Sequence, residues 1–201
     1  MPDFDNGFLY LLVATFAYLA GSIPFGMVIA KAMNLGDLRN IGSGNIGATN
    51  VLRTGNKGAA AATLILDAFK GAVAVLVSRA IAGEDVAQIA ALAAFIGHCY
   101  PVWLGFKGGK GVATFLGVLF ALSWITALAA CAIWLLTAVI TRWSSLSALL
   151  AAGLAPVLAL LTGYTDGIVL LIVLAALVYW RHGANIKRLR EGTEPKIGAK
   201  S

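Results

Sequence analysis

The sequence predicts an all-α integral membrane protein with about seven transmembrane helices, the N-terminus outside and the C-terminus in the cytoplasm. Of the 201 residues, 60% are hydrophobic and only 12% are charged, whereas soluble domains carry about 25% charged residues. The mean hydropathy is +0.87, and several apolar runs approach the roughly 20 residues that cross a bilayer as a helix. The whole chain, 1–201, is therefore interpreted as a single polytopic membrane domain.

The first apolar run, 7–32, is predicted to remain as a transmembrane helix. A secretory signal peptide begins with a positively charged segment, but residues 1–7 carry Asp3 and Asp5 and no Lys or Arg. The apolar run also continues too far for a cleaved leader.

Five further apolar runs follow, at 58–83, 86–104, 112–140, 145–162 and 167–181. The run 112–140 is long for one crossing and short for two. Basic residues decide between these alternatives, because Lys and Arg concentrate in cytoplasmic loops. A single crossing would leave Arg142 and the basic C-terminal segment outside, whereas two crossings that turn near Ser123–Trp124 return both to the cytoplasm. Two crossings are therefore predicted, which makes seven helices.

This topology gathers the unusual polar stretches of the chain at the cytoplasmic face, namely 36–57, 98–114, 141–147 and 181–196. Around the first of them, residues 40–58 include five glycines among nineteen residues. Ordering glycine costs more backbone freedom than ordering any other residue, so a ligand that is met by backbone N–H groups is expected there. The convergence on one face is the main indication of a functional site.

Two of these stretches combine a glycine-rich turn with cations. Such a turn, leading into a helix N-terminus, binds anions through successive backbone N–H groups. Arg53 and Lys57 accompany the first turn, and Lys107 and Lys110 accompany the second. The pattern indicates one or two phosphate groups. For some cations of the C-terminal segment, a positive-inside bias with headgroup contact is the preferred interpretation: Lys187, Arg190 and Lys200.

Other chemistries are not predicted. Gly42, Gly44 and Gly47 form G-x-G-x-x-G, but a dinucleotide site needs a preceding strand, and a membrane helix precedes this motif. The signatures G-x-S-x-G and H-E-x-x-H of acyl-transfer nucleophiles and zinc hydrolases are absent. Asp67 and Lys70, three residues apart on one helix, are expected to pair with each other. An enzyme with so few cytoplasmic carboxylates requires a substrate that is already activated.

Three stretches of the polar segments stand out together: DLRNIGSGNIGATNVLRTGNKG, GHCYPVWLGFKGGKGVAT and YWRHGANIKRLREGTEPK. In order and spacing they resemble the three cytoplasmic motifs of a known family, the bacterial acyl-phosphate:glycerol-3-phosphate acyltransferases (PlsY). The resemblance implies a seven-helix enzyme of the bacterial cytoplasmic (inner) membrane, with its active site on the cytoplasmic face.

The activity that the resemblance implies is transfer of a fatty acyl group from acyl phosphate to the sn-1 hydroxyl of glycerol 3-phosphate. The products are lysophosphatidate and inorganic phosphate, in the first acylation step of phospholipid biosynthesis. The resemblance implies acyl phosphate, glycerol 3-phosphate and membrane lipid as partners, with no metal, no other cofactor and no nucleic acid.

The resemblance also implies the site residues. As catalytic residues it suggests Ser43, Lys107 and His182. As substrate-binding residues it suggests Gly42, Gly44, Asn45, Gly47, Thr49, Asn50, Arg53, His98, Gly108, Gly109, Lys110, Ser145, Arg181 and Asn185. The first motif would hold one phosphate and the second motif the other phosphate or the leaving group. The proton of the attacking hydroxyl is expected to pass to a substrate phosphate oxygen, whose second pKa is about 6, or to His182 or His98.

A transporter for a phosphorylated solute is the alternative from another class, since it would also need an anion site among helices. Transporters place that site near the bilayer midplane, at discontinuous helices in paired repeats. Here the polar stretches are predicted at one face and no inverted repeat is evident. The acyltransferase is therefore the preferred hypothesis.

Overall fold

The computed structural model describes the backbone of residues 4–198 and the side chains of residues 7–198. This part of the chain forms nine α-helices and three short 3₁₀ turns, with no strand. The helices are α1 (Phe4–Gly21), α2 (Phe25–Ala32), α3 (Ala48–Val51), α4 (Lys57–Cys99), α5 (Val112–Leu122), α6 (Trp124–Thr141), α7 (Ser144–Leu161), α8 (Ile168–Arg181) and α9 (Gly183–Arg190). The predictions that concern Asp3 and Lys200, and the side chain of Asp5, lie outside the described residues.

The all-helical membrane architecture is confirmed, but the predicted number of seven spans exceeds what length and composition alone support. Four segments of the described chain are long and apolar enough to cross a membrane, namely Gly7–Ala32, Lys57–Leu104, Trp124–Thr141 and Ser144–Leu161. A fifth is added if α8 and α9, which meet at 63°, count together as one bent span. Helix α5 has 11 residues and measures about 16 Å, against a hydrocarbon core of about 30 Å.

The longest apolar segment is bent at Gly83. This residue has φ 83° and ψ −171° inside α4, and it falls where the runs 58–83 and 86–104 were predicted to separate. Across the bend, Arg79 Nε donates to Glu84 Oε2 at 2.6 Å, and Arg79 Nη2 donates to Glu84 Oε1 at 3.0 Å. Arg79 Nη1 also donates to the Ala121 carbonyl at 2.6 Å. The bend is thereby tied to the end of α5.

Residues 112–140 form two helices, so the predicted turn near Ser123–Trp124 is confirmed. Ser123 is extended, with φ −150° and ψ 98°, between α5 and α6. Its hydroxyl lies 2.7 Å from that of Thr126, which in turn lies 2.6 Å from the hydroxyl of Thr162. These hydroxyls satisfy one another where the backbone leaves the helix.

The first span is interrupted between α1 and α2, where Pro24 has no N–H to donate. The carbonyl of Ile23, at this break, accepts hydrogen bonds from the Phe25 amide at 3.1 Å and from Lys70 Nζ at 2.7 Å. Lys70 also donates to Asp67 Oδ1 at 2.7 Å, so the predicted pair is confirmed. Neighbouring helices commonly satisfy the backbone groups that a break exposes within a membrane, and Lys70 has this role here.

Helix α4 lies at the centre of the bundle and packs closely against its neighbours. A Cβ on Gly117 of α5 would lie 1.9 Å from the Ala68 carbonyl oxygen, and one on Gly97 would lie 2.2 Å from that of Tyr18 in α1. Small residues allow membrane helices to approach this closely. Large apolar side chains cover the outside of the bundle and suit contact with lipid, among them Val139, Ile140, Leu161 and Val169.

Candidate active site

A cavity of about 370 Å³ lies where the polar stretches of the sequence meet. Its polar wall contains residues from all four of these stretches and from α4: Ser43, Asn45, Thr49, Asn50, Arg53, Asp67, His98, Lys110, Ser144, Ser145, His182, Asn185 and Glu194. Its apolar wall comes from α4, α5, α6 and α7: Leu64, Val112, Ala113, Leu116, Cys131, Trp134, Leu135 and Ala148. The cavity is therefore suited to a molecule with a charged head and an apolar chain.

Asn50 organises the first loop. Its Oδ1 accepts hydrogen bonds from the Ser43 amide at 3.1 Å and from Arg53 Nη1 at 3.3 Å. Its Nδ2 donates to the Leu38 carbonyl at 2.9 Å. Gly42 has φ 51°, and a Cβ there would lie 2.6 Å from Cδ of Arg53. Asn50 thus places the Ser43 hydroxyl and the Arg53 guanidinium side by side in the cavity wall.

The end of the first loop is joined to α7. The Thr49 and Ser144 hydroxyls lie 3.1 Å apart, and α7 begins at Ser144. Gly47 precedes α3 and lines the cavity. The amide of Gly44, in contrast, donates to the Ile41 carbonyl at 2.9 Å, so Gly44 shapes the loop and does not offer its N–H group to a ligand.

The glycines of the second loop correct one sequence prediction. The Gly108 amide donates to the Cys99 carbonyl at 3.1 Å, and the Gly109 amide donates to the His98 carbonyl at 3.1 Å. Both N–H groups are therefore engaged within the protein, so these two glycines do not offer the N–H groups that the glycine pattern indicated for an anion. These bonds hold the loop against the end of α4. The residues that follow them into α5 line the cavity, namely Gly111, Val112 and Ala113.

The carbonyls of the same loop are held by two arginines. Arg181 donates through Nε to Gly109 O and through Nη2 to Gly108 O, each at 3.1 Å. Its guanidinium also lies 4.8 Å from the centre of the Tyr100 ring, and Arg39 donates to the Lys107 carbonyl. Neither Arg181 nor the exposed Lys107 belongs to the cavity wall of the described chain. Arg181 supports the loop where a substrate contact was expected.

Lys110 is the cation of the second loop that reaches the cavity. Its Nζ donates to Asn185 Oδ1, which joins the second loop to α9. Burial first, and then the neighbouring cations Arg188, Arg181 and Arg53, lower the pKa of Lys110 to about 8, against the opposing effect of Glu194. A bound anion would restore the charged form of Lys110, since an opposite charge nearby favours ionisation.

Glu194 joins three elements of the polar wall. Its Oε1 accepts hydrogen bonds from Ser145 Oγ and Asn185 Nδ2, each at 2.7 Å, and its Oε2 accepts from Arg188 Nε at 2.7 Å. Burial raises the pKa of Glu194, but the hydrogen bonds from Ser145, Asn185 and Arg188 outweigh it and hold the pKa below its usual value. The ionised carboxylate therefore orients Ser145 and Asn185.

The two histidines differ in what they present to the cavity. His182 Nδ1 lies 2.8 Å from the Val178 carbonyl oxygen, which can only accept, so the proton is on Nδ1 and the lone pair of Nε2 is free. His98 Nε2 packs against Gly109, where a Cβ would approach it to 2.2 Å. His98 Nδ1 lies 3.6 Å from Asp67 Oδ1.

Comparison with known proteins decides the family. The family model for glycerol-3-phosphate acyltransferases matches residues 11–192. A glycerol-3-phosphate acyltransferase of Ruegeria pomeroyi is 61% identical over the whole of both chains, and one of Cereibacter sphaeroides is 60% identical over all of this chain and 96% of its own. The chain belongs to the glycerol-3-phosphate acyltransferase family.

Two solved structures of a glycerol-3-phosphate acyltransferase, PlsY, share this fold. The glycerol 3-phosphate form is 44% identical with a TM-score of 0.89, over 94% of this chain and 96% of that one. The lysophosphatidic acid form is 42% identical with a TM-score of 0.87, over 94% and 95%. PlsY is an integral membrane protein, in agreement with the apolar helices described above.

Most of the residues that the resemblance to the acyltransferases suggested lie in the cavity wall. Those in the wall are Ser43, Asn45, Gly47, Thr49, Asn50, Arg53, His98, Lys110, Ser145, His182 and Asn185. Those that the structure does not bring there are Gly42, Gly44, Lys107, Gly108, Gly109 and Arg181. Sequence reasoning missed Glu194 as a member of the site and took Asp67 as structural only. The signal that could have found Glu194 was the presence of a carboxylate within the basic C-terminal segment.

Proposed function

We propose that this protein transfers a fatty acyl group from acyl phosphate to the sn-1 hydroxyl of glycerol 3-phosphate, with release of lysophosphatidate and inorganic phosphate. One observation carries the proposal: a single cavity combines Arg53 and Lys110 with hydroxyl and amide donors on one wall and apolar side chains on the other. Phosphate groups require the first wall and an acyl chain requires the second. Membership of the acyltransferase family supports the same activity.

The apolar wall is continuous with the lipid-facing surface. Leu64 of α4 and Leu135 of α6 both line the cavity and are 49% and 58% exposed. A long-chain donor therefore keeps its chain in the bilayer while its phosphate reaches the polar wall. This arrangement lowers the cost of extracting the chain from lipid, since each buried CH₂ contributes about 0.8 kcal/mol.

The chemistry needs little covalent assistance. The acceptor oxygen bonds to the acyl carbonyl carbon, the bond from that carbon to the phosphate oxygen breaks, and the phosphate leaves with the electron pair. An acyl phosphate is a mixed anhydride with a good leaving group, so positioning of the two substrates carries much of the rate, and good orientation lowers a barrier by roughly 7–11 kcal/mol. The Ser43 hydroxyl and the Lys110 ammonium lie in the wall where phosphate charge must be held.

Two groups are proposed as acceptors of the hydroxyl proton. One is a phosphate oxygen of a substrate, whose second pKa is about 6. The other is Nε2 of His182, which is free because Nδ1 is bound to Val178. The packing of His98 Nε2 against Gly109 argues against His98 as the base.

We propose seven membrane crossings in the cytoplasmic (inner) membrane of a bacterium, with the N-terminus outside and the C-terminus and cavity on the cytoplasmic side. The bend at Gly83 and the break at Ser123 supply the two additional turns that this topology needs. The positive-inside rule supports the orientation, because Arg53, Lys107 and Lys110 lie on loops at the cavity.

The test is release of inorganic phosphate by the purified protein in detergent or nanodiscs, with palmitoyl phosphate as donor. Phosphate release should require glycerol 3-phosphate, and lysophosphatidate should form in equal amount. Release that does not depend on the acceptor, or none at all, would refute acyl transfer.

Variants of the two loops sharpen this test. Ser43→Ala and Lys110→Ala should lower kcat/KM by about 10²–10³, the effect of removing one donor to developing charge. Lys107→Ala is the matched comparison, because Lys107 carries the same charge three residues away but is exposed. If Lys110→Ala retained activity and Lys107→Ala lost it, the catalytic role that the resemblance assigns to Lys107 would be favoured over the role that the cavity assigns to Lys110. Size-exclusion profiles in detergent confirm that each variant is folded.

A further inference from the structure

A buried polar cluster, part of which lines the cavity, is left without a role by the proposed reaction. It consists of Asp67, Lys70 and His98 of α4, which are 2%, 5% and 4% exposed. Asp67 and His98 both line the cavity. Lys70 balances the charge of Asp67 and donates to the carbonyl of Ile23. These contacts explain why Lys70 is buried here, but they do not explain why Asp67 and His98 face the cavity.

The hydrogen bonds of the cluster are incomplete on the side of the cavity. Asp67 Oδ1 accepts from Lys70 Nζ at 2.7 Å. The hydrogen bond from Lys70 is the one found for this carboxylate among the described residues. The buried Nδ1 of His98 lies 3.6 Å from Asp67 Oδ1 and has no partner within hydrogen-bond distance. Buried polar groups in proteins are nearly always paired. A carboxylate with one oxygen left for a further hydrogen bond, beside a ring nitrogen without a partner, indicates a polar group of the substrate in this cavity.

The chemistry of the substrates identifies that group, and this step rests on the proposed function. An ionised carboxylate can only accept hydrogen bonds, and it repels the ionised oxygens of a phosphate. Acyl phosphate presents only acceptor oxygens, so the two hydroxyls of glycerol 3-phosphate are the donors that the reaction brings to the cavity. One hydroxyl attacks the acyl group, and the other remains in the product.

We propose that Asp67 and His98 bind the secondary hydroxyl of glycerol 3-phosphate and thereby select the acceptor. The hydroxyl donates to Asp67 Oδ2, and its oxygen accepts from His98 with the proton on Nδ1. The hydroxyl that does not react is the better match, because the ion pair with Lys70 holds the carboxylate as a hydrogen-bond acceptor and weakens it as a base. Asp67 and His98 thus act in substrate selection, while Arg53 and Lys110 hold phosphate.

The test compares glycerol 3-phosphate with 3-hydroxypropyl phosphate, which keeps the phosphate and a primary hydroxyl but lacks the secondary hydroxyl. Wild-type protein should prefer glycerol 3-phosphate in kcat/KM by about 10- to 100-fold, because a site that is built around a hydroxyl discriminates strongly against an analogue without it. The measured quantity is the ratio of the two kcat/KM values, which cancels a general loss of activity.

Two variants should lower this ratio by about tenfold or more. Asp67→Leu/Lys70→Met removes the acceptor together with its counter-charge, so that no unpaired buried charge remains to prevent folding. His98→Phe keeps an aromatic ring of slightly larger size and removes both ring nitrogens, and it provides an independent test if the double variant does not fold. Thr63→Val is the control, since Thr63 is buried one turn away on α4, bonds to the Ala59 carbonyl of its own helix and should keep the wild-type ratio.

Each outcome bears on one of the two proposals. A wild-type enzyme that acylates both acceptors equally well would overturn the hydroxyl-binding role and leave the acyltransferase intact. Folded variants that keep the wild-type ratio, even with lower activity, would show that the cluster is only structural. If wild-type protein acylates neither acceptor, the proposed function itself is overturned and this inference with it.

Discussion

At the scale of single residues, two lysines of the same loop have different surroundings. Lys107 is exposed and contributes its backbone carbonyl to a contact with Arg39. Lys110 points into the cavity and donates to Asn185. Since burial brings the pKa of Lys110 to about 8, its charge in the free enzyme depends on pH within the range where the protein is assayed.

The first prediction at this scale concerns that charge. A pKa below the usual value for lysine means that Lys110 is cationic below pH 8 and becomes neutral as the pH rises through about 8. The phosphate of the acceptor is already doubly ionised above about pH 7, so the cation is the group that changes. We expect the KM for glycerol 3-phosphate to rise several-fold between about pH 7 and 9, measured by phosphate release with a blank for donor hydrolysis.

Lys110→Arg is the matched variant, because arginine stays charged at any pH at which proteins are assayed. Its KM, whatever the absolute value, should be nearly independent of pH over the same range. A wild-type KM that does not change, or an arginine variant that shows the same rise, would mean that Lys110 does not set the pH dependence.

At the scale of elements, the second loop is a rigid support for Lys110. Its amides at Gly108 and Gly109 bind the end of α4, and its carbonyls bind Arg181 at the end of α8. The end of α4, which precedes the loop, and the end of α8, which lies far along the sequence, therefore fix the position of one ammonium group together. Arg181 is a positioning residue here, because it acts through the loop and not through a substrate contact.

The prediction for this element is that Arg181→Gln weakens substrate binding more than turnover. Loss of two charge-assisted hydrogen bonds, each worth about 1.5–3 kcal/mol in favourable sites, should free the loop and raise the KM for glycerol 3-phosphate by about 10-fold or more. Arg181→Lys should restore part of the effect, since lysine can still donate to one carbonyl. An unchanged KM in Arg181→Gln would contradict a positioning role. The same would follow if both variants had the same rise in KM and both lost folded protein.

At the scale of the whole molecule, the number of membrane crossings depends on one short helix, α5, and one bent helix, α4. Helix α5, with 11 residues, is too short for an ordinary crossing. Helix α4 runs over 43 residues but is bent at Gly83. The seven crossings that we propose would place the 162–167 turn on the side opposite the cavity and the second loop on the cavity side.

Cysteine labelling tests this arrangement in intact cells. Both native cysteines are at least partly buried, so new cysteines can be introduced at the exposed positions Asp166, Lys107 and Lys196 in a background in which Cys99 and Cys131 are replaced by alanine. A maleimide that does not cross membranes should label Asp166→Cys in intact cells, and Lys107→Cys and Lys196→Cys only after permeabilisation. Labelling of positions 107 and 166 from the same side would exclude two crossings by residues 112–140.

Much of the architecture follows from local sequence. Apolar runs locate the helices to within a few residues, because a segment in lipid must form hydrogen bonds between its own backbone groups, as a helix does. The break at Ser123 follows from charge placement, and the bend of α4 from the charged residues after Gly83. The prediction that Asp67 pairs with Lys70 is confirmed because residues three apart share a helix face.

What the sequence determined by itself was the membrane class, the helices and the polar stretches that carry the site. Only the tertiary structure decided which side chains of those stretches face the cavity. Gly108, Gly109 and Arg181 belong to the same motifs as Lys110 and Asn185, yet their polar groups bind one another, and Glu194 enters the site by bonding Ser145, 49 residues earlier. Such pairings depend on which elements meet in space. The sequence of a loop does not show which partner its glycine amides or charged side chains will bind.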